Sequence, residues 1–407
     1  MRHASRTALV LCALATLAAC GGSGPKSAAP PGAAAAKSDS SSWLPDIKLS
    51  GGKPFYIALV SATTGPYARQ GDELRAGAGQ AVDDLNANGG VLDRVMVMRP
   101  VDDRCDPKYA QAIARGIAVQ HIQIVIGHLC PAATLAAADI YGEAGILLLA
   151  PTTTDDALTD DAAARGRIDI VRVAPRDEEQ GALLAHHLRT AYPNAPVALV
   201  SDGTEYGKTI VDSTRRALIA AGVHPVLDET VVPASEAYAS LVGRMKAAGV
   251  GAVIYGGASA DGAHLLLEMR HQGLAAAFGG GSLLFAPQFW TIAQSAAEGT
   301  FMPWLPDPAK IMSGTLQPIA GNRGGSTSGL GMGIQGYTLY GYAAVQVFAQ
   351  AAERANSIDP IAVAKAIRQG SYDTIVGTLT FDAKGDAQGL GFTLYAWHNG
   401  GYVSFND

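Results

Sequence analysis

The sequence has few cysteines and none of the common motifs of catalytic or metal sites. Its four cysteines among 407 residues form no Cys-x-x-Cys pair, and it contains neither a His-Glu-x-x-His motif nor a calcium-binding loop. His186 and His187 are adjacent, so they point to different faces of a helix and cannot hold one metal ion together. These absences favour a binding protein over an enzyme, and they predict no cofactor and no metal.

Basic residues are also scarce. The chain has 30 Lys and Arg against 36 Asp and Glu. Without the first 19 residues, which hold two arginines and no acid, 28 basic residues face 36 acidic ones, a net charge of −8. Nucleic acids are bound by basic protein faces, so this balance argues against a nucleic-acid partner.

Two glycine-containing turns resemble catalytic or nucleotide-binding motifs but are incomplete. Residues 203–209 have one residue too few between their glycines for a phosphate-binding loop, and they include an acid. Residues 257–261 lack the final glycine of a nucleophile elbow. We therefore predict neither nucleotide binding nor serine-dependent hydrolysis.

The N-terminal 53 residues have the composition of a targeting segment followed by a linker. Two arginines precede an apolar run over residues 8–17, which is shorter than the about 20 residues that span a bilayer. The run ends in Leu-Ala-Ala-Cys, so we predict a signal peptide over residues 1–19 and lipidation at Cys20. Residues 20–53, rich in Gly, Pro, Ala and Ser, are expected to form a disordered tether. No later segment resembles a transmembrane helix.

Two cysteines remain for the folded body. Cys12 leaves with the signal peptide and Cys20 would carry lipid, whereas Cys105 and Cys130 would enter an oxidising compartment. We predict a disulfide between them. Cys130 also lies where a strand should pass into a helix at Pro131, and such a turn presents free backbone N–H groups.

Apolar runs of strand length alternate with amphipathic segments of helix length along most of the body. One series covers residues 55–149, and a second begins near residue 170. This alternation predicts an α/β fold with parallel sheets covered on both faces, and about 350 residues suffice for two domains. In the tail, residues 332–355 and 360–369 are predicted helices, and residues 374–381 and 391–397 are predicted strands.

Small, hydroxylated or aromatic residues follow several predicted strands. These turns are residues 63–67, 130–132, 150–154, 205–207 and 256–258. Each one could be an ordinary strand-to-helix turn. Their shared position at the carboxyl ends of parallel strands predicts a small-molecule site in a cleft between two doubly wound domains.

Several stretches of the body are those of a known family. They are residues 64–66, 71–72, 88–90, 102–107, 126–130, 205–207, 255–257 and 377–382. In these residues the chain resembles type I periplasmic solute-binding proteins of ABC importers, and is similar in particular to the leucine/isoleucine/valine-binding proteins.

The resemblance implies two lobes joined by three hinge crossings near residues 173–176, 301–304 and 374–377. Lobe 1 would comprise residues 54–174 plus 303–375, and lobe 2 residues 175–302 plus 376–407. It also implies a periplasmic, monomeric protein that traps a small-molecule ligand by hinge closure. The ligand would pass to an ABC permease with its ATPase, while the lipid at Cys20 holds the protein on the inner or outer membrane.

The resemblance also implies which residues line the ligand site. They are Gln70, Pro131, Ala132, Thr152, Thr154, Tyr206, Ala258, Ser282 and Tyr337. Several depart from the family pattern: Pro131 replaces a serine and has neither hydroxyl nor N–H, while Gln70 and Ala258 replace tyrosines. Ser282 stands where the family has the glutamate that binds the ligand's ammonium group.

Two hypotheses for the ligand follow from the missing glutamate. In the first, Asp155, Glu205 or Asp261 supplies the negative charge and the ligand is an amino acid; Asp155 equally fits the role of a helix cap. In the second, the ligand has no ammonium group and is a carboxylate, an amide or a larger apolar molecule. A protein that senses a ligand or regulates a partner, without transport, is the alternative from a different functional class.

Overall fold

The computed structural model describes residues 52–232, 235–306, 336–389 and 391–405, with the backbone alone for residues 235–237. The predicted signal peptide, Cys20 and nearly all of the predicted tether lie outside the described residues, as do the first four residues of the predicted helix over 332–355.

Five strands form the first sheet: β1 (Gly52–Ser61), β2 (Arg94–Asp102), β3 (Ile124–Gly127), β4 (Leu147–Ala150) and β5 (Ile170–Arg172). Their order is β2-β1-β3-β4-β5, and all neighbours are parallel. Every residue of β3 and β4 is buried, as expected for strands covered on both faces.

Seven strands form the second sheet: β6 (Val197–Ser201), β7 (Leu227–Thr230), β8 (Ala252–Gly256), β9 (Ala277–Gly280), β10 (Phe301–Trp304), β14 (Thr393–His398) and β15 (Gly401–Ser404). The order is β15-β14-β10-β9-β8-β6-β7, in which β14 is antiparallel to both of its neighbours and the other pairs are parallel.

A small antiparallel sheet contains β11 (Ser371–Thr374), β12 (Gly377–Phe381) and β13 (Ala387–Gln388). The strand predicted over residues 374–381 is confirmed over Gly377–Phe381. Its first residues differ, because the chain reverses between Thr374 and Gly377, whose φ of 115° is accessible to glycine. After residue 381 the chain turns back again, and β13 pairs antiparallel with β12.

Eleven α-helices connect the strands in the described part of the chain. They are α1 (Ala68–Ala87), α2 (Pro107–Val119), α3 (Pro131–Glu143), α4 (Ala157–Ala164), α5 (Asp177–Ala191), α6 (Glu205–Ala220), α7 (Ser235–Ala247), α8 (Ser259–His271), α9 (Pro287–Ala293), α10 (Gly336–Ala355) and α11 (Pro360–Gln369). Short 3₁₀ helices cover Ser282–Phe285 and Gln294–Ala297. The alternation predicts this α/β architecture of two lobes, and the structure confirms it.

The small sheet belongs to the core of the first lobe. Val376, Leu379 and Ala387 are buried in one apolar cluster with Leu339 of α10 and strands of the first sheet. In β12 alternate residues are buried, so one face packs on that core and the other faces solvent. The predicted lobe boundary assigned residues 376–388 to lobe 2, and in this segment the structure differs from it.

Helices α1 and α10 pack closely over the first sheet. A Cβ at Gly77 would lie 1.9 Å from the carbonyl oxygen of Thr338, so the two backbones approach each other where α1 has no side chain. Helix α10 is thereby fixed against α1, in the N-terminal half of the chain. Within the described residues, no helix combines the length and apolarity needed to cross a bilayer.

Candidate functional site

The predicted disulfide lies at the carboxyl end of the first sheet. Cys105 and Cys130 are bonded, with their Cα atoms 5.4 Å apart. Beside them, Asp103 Oδ2 lies 2.6 Å from Nδ1 of His128, and both of these side chains are buried. Tyr141 OH lies 3.1 Å from the other ring nitrogen of His128. The turn after β2 is therefore tied to the turn after β3 by a covalent bond and by a buried hydrogen-bond network.

The turn after β3 presents free backbone donors. Pro131 is the first residue of α3, where its lack of an N–H costs no hydrogen bond, and no side chain of the described residues caps this helix end. Pro131 and Ala132 are both exposed. The N–H groups that open the helix are thus available to an acceptor outside the chain. This arrangement can hold a carboxylate even without the serine that Pro131 replaces.

The turn after β4 lies against the turn after β3. Thr152 donates from its hydroxyl to the carbonyl oxygen of Leu129 at 3.0 Å. The hydroxyls of Thr134 and Thr153 lie 2.7 Å apart and are buried. Hydroxyl groups therefore fix the geometry of both turns, which brings the first-lobe residues predicted for the site to one end of the sheet.

A buried arginine donates hydrogen bonds to the backbone just after β4, at the end of the same turn. Arg172, at the end of β5, is fully buried, and its guanidinium donates to the carbonyl oxygens of Thr154, at 3.0 Å, and Asp155. The other side of the guanidinium bonds Asp386 Oδ1 at 2.7 to 2.9 Å. Asp386 also accepts from Arg176 at 2.7 Å, and the two arginines lower the pKa of its carboxyl group against the effect of burial. The network joins the ligand-side turn to the first crossing and to the small sheet.

The structure reveals an acid that sequence reasoning missed. Asp177 is the first residue of α5, directly after the first crossing, and it is 3% exposed. Its backbone N–H donates to the carbonyl oxygen of Thr154 at 2.9 Å, and its Oδ1 accepts from Gln180 Nε2 at 2.6 Å. Burial raises the pKa of Asp177 to about 7, although a hydrogen bond with Thr154 lowers it. In the sequence, the available signal for this residue was its position directly after the crossing predicted near residues 173–176.

The second lobe brings Tyr206 and Ser282 together. Their hydroxyls lie 3.1 Å apart, and Tyr206 OH also accepts from the N–H of Leu283 at 3.2 Å. Ser282 N–H donates to Oε1 of Gln180 at 2.7 Å, which links this pair to Asp177. Burial raises the pKa of Tyr206, and the charge of Asp177 raises it further. A continuous polar network thus runs from Thr154 in the first lobe to Ser282 in the second.

Gln70 and Tyr337 lie on neighbouring helices of the first lobe. Gln70 Oε1 is buried and has no hydrogen-bond partner among the described residues, and the same holds for Glu73 Oε2. Burial raises the pKa of Tyr337, and the charge of Glu73 raises it further, so these groups face one another. Tyr337 packs against an apolar cluster that includes Leu129. Unpaired buried acceptors of this kind are suited to a ligand or to water.

The three acids proposed from the sequence lie in different surroundings. Asp155 Oδ1 accepts from the N–H of Ala157, two residues later, at 3.0 Å in the turn before α4. Asp261 is half-buried and accepts from Tyr238 OH at 3.3 Å. Glu205 is exposed on the first turn of α6. Asp177 is the acid that the structure places between the first-lobe turn and the second-lobe network.

Ala258 is held at the turn after β8. Its N–H donates to Asp202 Oδ2 at 3.0 Å, and Asp202 Oδ1 accepts from the N–H and hydroxyl of Thr204 at 2.9 and 2.6 Å. Asp202 therefore joins the two second-lobe turns that follow β6 and β8. Ala258 is exposed, so the methyl group that stands in place of a tyrosine leaves open space at this turn.

Comparison with known proteins identifies the family of this chain. A family model described as periplasmic binding protein matches residues 54–401. The chain belongs to the periplasmic binding protein family. A Leu/Ile/Val-binding protein homolog from Brucella melitensis is 32% identical to this periplasmic binding protein over 351 residues, which cover 86% of the chain and 92% of the relative. A Leu/Ile/Val-binding protein from Rhizobium johnstonii is 30% identical over 350 residues, 86% and 93% of the two chains.

Solved structures share the fold of this periplasmic binding protein. An ABC transporter substrate-binding protein from Desulfitobacterium hafniense, in complex with Leu, has a TM-score of 0.70 and 23% identity, and the match covers 87% of this chain and all of that one. A branched-chain amino acid transporter substrate-binding protein from Streptococcus pneumoniae, in complex with isoleucine, has a TM-score of 0.64 and 20% identity over 86% and 99% of the two chains. The predicted family is thus confirmed.

Proposed function

We propose that this periplasmic binding protein captures a branched-chain amino acid, or a close analogue, between its lobes and presents it to an ABC transporter. The observation that carries the proposal is Asp177. Its buried carboxyl group lies between Thr154 and the network of Tyr206 and Ser282. It supplies the negative charge that is missing at Ser282.

The energetic argument favours an amino acid with a free ammonium group. Ionising a buried carboxyl group costs several kcal/mol, and for this reason burial raises the pKa of Asp177. An ammonium group near the carboxylate would relieve that cost and stabilise the ionised form. The ligand carboxylate would bind the N–H groups that open α3, while the hydroxyl of Thr154 donates to Asp177. The apolar side chain would extend toward the space left by Ala258 and Gln70.

Cellular location and partners follow from the family and from the sequence. Relatives described as Leu/Ile/Val-binding proteins, and neighbours described as ABC transporter substrate-binding proteins, support delivery to a permease with its ATPase. The family supports a periplasmic location, and the predicted lipobox supports attachment to a membrane through Cys20. We further propose that the protein is a monomer and needs no cofactor. Its two lobes would close about the crossings near residues 173–176 and 301–304, with a third after residue 388.

Calorimetric titration with matched ligands tests the proposal. The protein is first freed of any carried ligand by unfolding and dialysis, then titrated with leucine, with its deaminated analogue 4-methylpentanoate and with its decarboxylated analogue 3-methylbutylamine. We expect leucine to bind with a Kd of about 1 μM and each analogue to bind at least about a hundredfold more weakly.

The outcome also separates the two ligand hypotheses. If 4-methylpentanoate binds as tightly as leucine, the ammonium group contributes nothing and a carboxylate ligand replaces the amino acid. If none of the three binds, the cleft binds a different ligand, and a protein that senses a ligand or regulates a partner becomes the favoured function. Mass spectrometry of the material released on unfolding identifies that ligand directly.

A further inference from the structure

A second pocket lies at the other end of the first sheet. The ligand-side turns follow the carboxyl ends of the parallel strands, whereas this pocket is lined by residues at their amino ends, on β1, β2 and the segment that enters β3. Its volume is about 330 Å³. The lining residues are Pro54, Phe55, Tyr56, Arg94, Arg99, Gln120, His121, Ile122, Gln123, Ile124 and Ile358.

The pocket carries two positive charges, and no aspartate or glutamate is among the described residues that line it. The guanidinium of Arg99 lies over the ring of Tyr56, 4.3 Å from its centre, and that of Arg94 lies 5.2 Å from the centre of Phe55. Such stacking holds a planar guanidinium in place and leaves its edge free to donate. Both arginines are thus preorganised at the pocket wall.

The hydrogen-bond donors of these arginines are incompletely used. Nε of Arg99 is buried and has no acceptor within the described ranges of the chain. Arg94 donates from Nε to the carbonyl oxygen of Lys53 at 2.7 Å, which leaves its terminal nitrogens for another acceptor. A buried donor without a partner is costly, so the site is suited to a ligand that supplies oxygen atoms.

The C-terminal end of α2, whose partial negative charge works against an anion, borders the pocket at Gln120. The carbonyl oxygens of Ile117 and Ala118 in the last turn of α2 accept from Gln120 and His121, at 3.1 and 3.2 Å. These carbonyl groups are therefore engaged inside the protein. Gln120, Gln123 and His121 add polar side chains to a wall otherwise formed by the two arginines and apolar groups.

We propose that this pocket binds a phosphate oxyanion, either free or as the headgroup of a lipid. Two guanidinium groups offer paired N–H donors that match phosphate oxygens, and this geometry gives stronger recognition than two ammonium groups would. The pocket is independent of the amino-acid cleft. It lies beside the first described strand, which follows the predicted tether, so a headgroup and a free phosphate are both to be tested.

Binding of inorganic phosphate and of vesicles tests the pocket. The full chain is used with Cys20→Ala, so that no lipid is attached. Phosphate is titrated calorimetrically at low salt, and flotation compares phosphatidylcholine vesicles with vesicles that also contain phosphatidylglycerol. The double variant Arg94→Gln/Arg99→Gln should lose about tenfold or more in affinity for the anion. The matched double variant Arg189→Gln/Arg216→Gln, which removes two exposed positive charges elsewhere, should bind as the parent does.

The outcomes show whether the pocket binds phosphate and whether that phosphate is free or part of a lipid. If the Arg94→Gln/Arg99→Gln variant loses only phosphate binding, the ligand is a free anion. If it loses binding to the anionic vesicles, the ligand is a lipid headgroup. The proposal is overturned if the parent binds neither probe, or if both double variants weaken binding equally, since net charge alone would then explain the effect. Should the glutamine variant melt early, Arg94→Lys/Arg99→Lys replaces it, because it keeps both charges but not the paired donors.

Discussion

Replacement of Asp177 by asparagine tests the cleft assignment in two independent ways. The carboxyl group of Asp177 has its pKa raised from 3.8 to about 7 by burial in the folded protein. A folded-state pKa above the unfolded value means that the folded protein binds the extra proton. The stabilisation from that proton is complete at low pH and is lost as the pH rises through about 7. Above that pH the empty protein holds a buried, unpaired charge.

The size of the effect follows from the pKa shift. From pH 5 to about pH 7 the unfolding free energy of the parent falls by about 1.4 kcal/mol per pH unit, because the folded protein binds one more proton than the unfolded chain. Above about pH 7 this fall ends. The side-chain amide of asparagine does not titrate, so Asp177→Asn should gain about 3 kcal/mol of unfolding free energy relative to the parent on going from pH 5 to pH 8. Comparing the two pH values cancels any constant change in hydrogen bonding to Gln180.

The assay is denaturant unfolding of ligand-free protein at the two pH values, paired with leucine titration at pH 8. Asp177→Asn should be stabilised relative to the parent at pH 8 and yet should bind leucine at least about a hundredfold more weakly. Asp161→Asn, which removes an exposed carboxylate, is the control and should change neither quantity. A stability difference independent of pH would refute the assigned pKa, and unchanged leucine affinity would refute the role in binding.

Three further predictions follow from the contacts around the cleft. Reduction of the bond between Cys105 and Cys130, 25 residues apart, should lower the unfolding free energy by about 3 kcal/mol, and an unchanged melting temperature in reductant would contradict this. Arg172→Gln removes a charged partner of the buried Asp386 carboxylate and should cost about 3 to 5 kcal/mol in denaturant unfolding, whereas Arg189→Gln should cost almost nothing. Tyr206→Phe removes the hydroxyl that bonds Ser282 and Leu283, so it should weaken leucine binding about tenfold in calorimetry and cost about 1 kcal/mol in denaturant unfolding.

Much of the fold was predictable because its signals are local. Runs such as residues 124–126 and 146–149 are continuously apolar, and β3 and β4 are buried throughout. The tail was harder to predict from residue patterns alone. β11 was not predicted and the strand over residues 374–381 began too early, because the reversal before β12 depends on the backbone conformation of Gly377 and on a hydrogen bond from Thr374 Oγ1 to its carbonyl oxygen, at 2.6 Å.

The division of the tail between lobes depended on distant contacts. Leu379 and Ala387 pack with residues of the first sheet and of α10, and Asp386 bonds Arg172, 214 positions earlier in the chain. No local pattern specifies a partner at that separation. The small sheet therefore joined a different lobe from the one that the sequence suggested.

The alternation of strands and helices, the disulfide pair and the turns where a ligand site is expected could be predicted from the residues, since each depends on neighbouring residues or on cysteine number. Only the folded chain brings Asp177 beside Thr154 and Gln180. The ionisation of Asp177 depends on its removal from water and on groups brought to it by the first crossing, from Thr154 on one lobe to Tyr206 on the other. Desolvation and charge proximity are properties of the folded chain, so no local pattern of residues could predict the raised pKa of this acid.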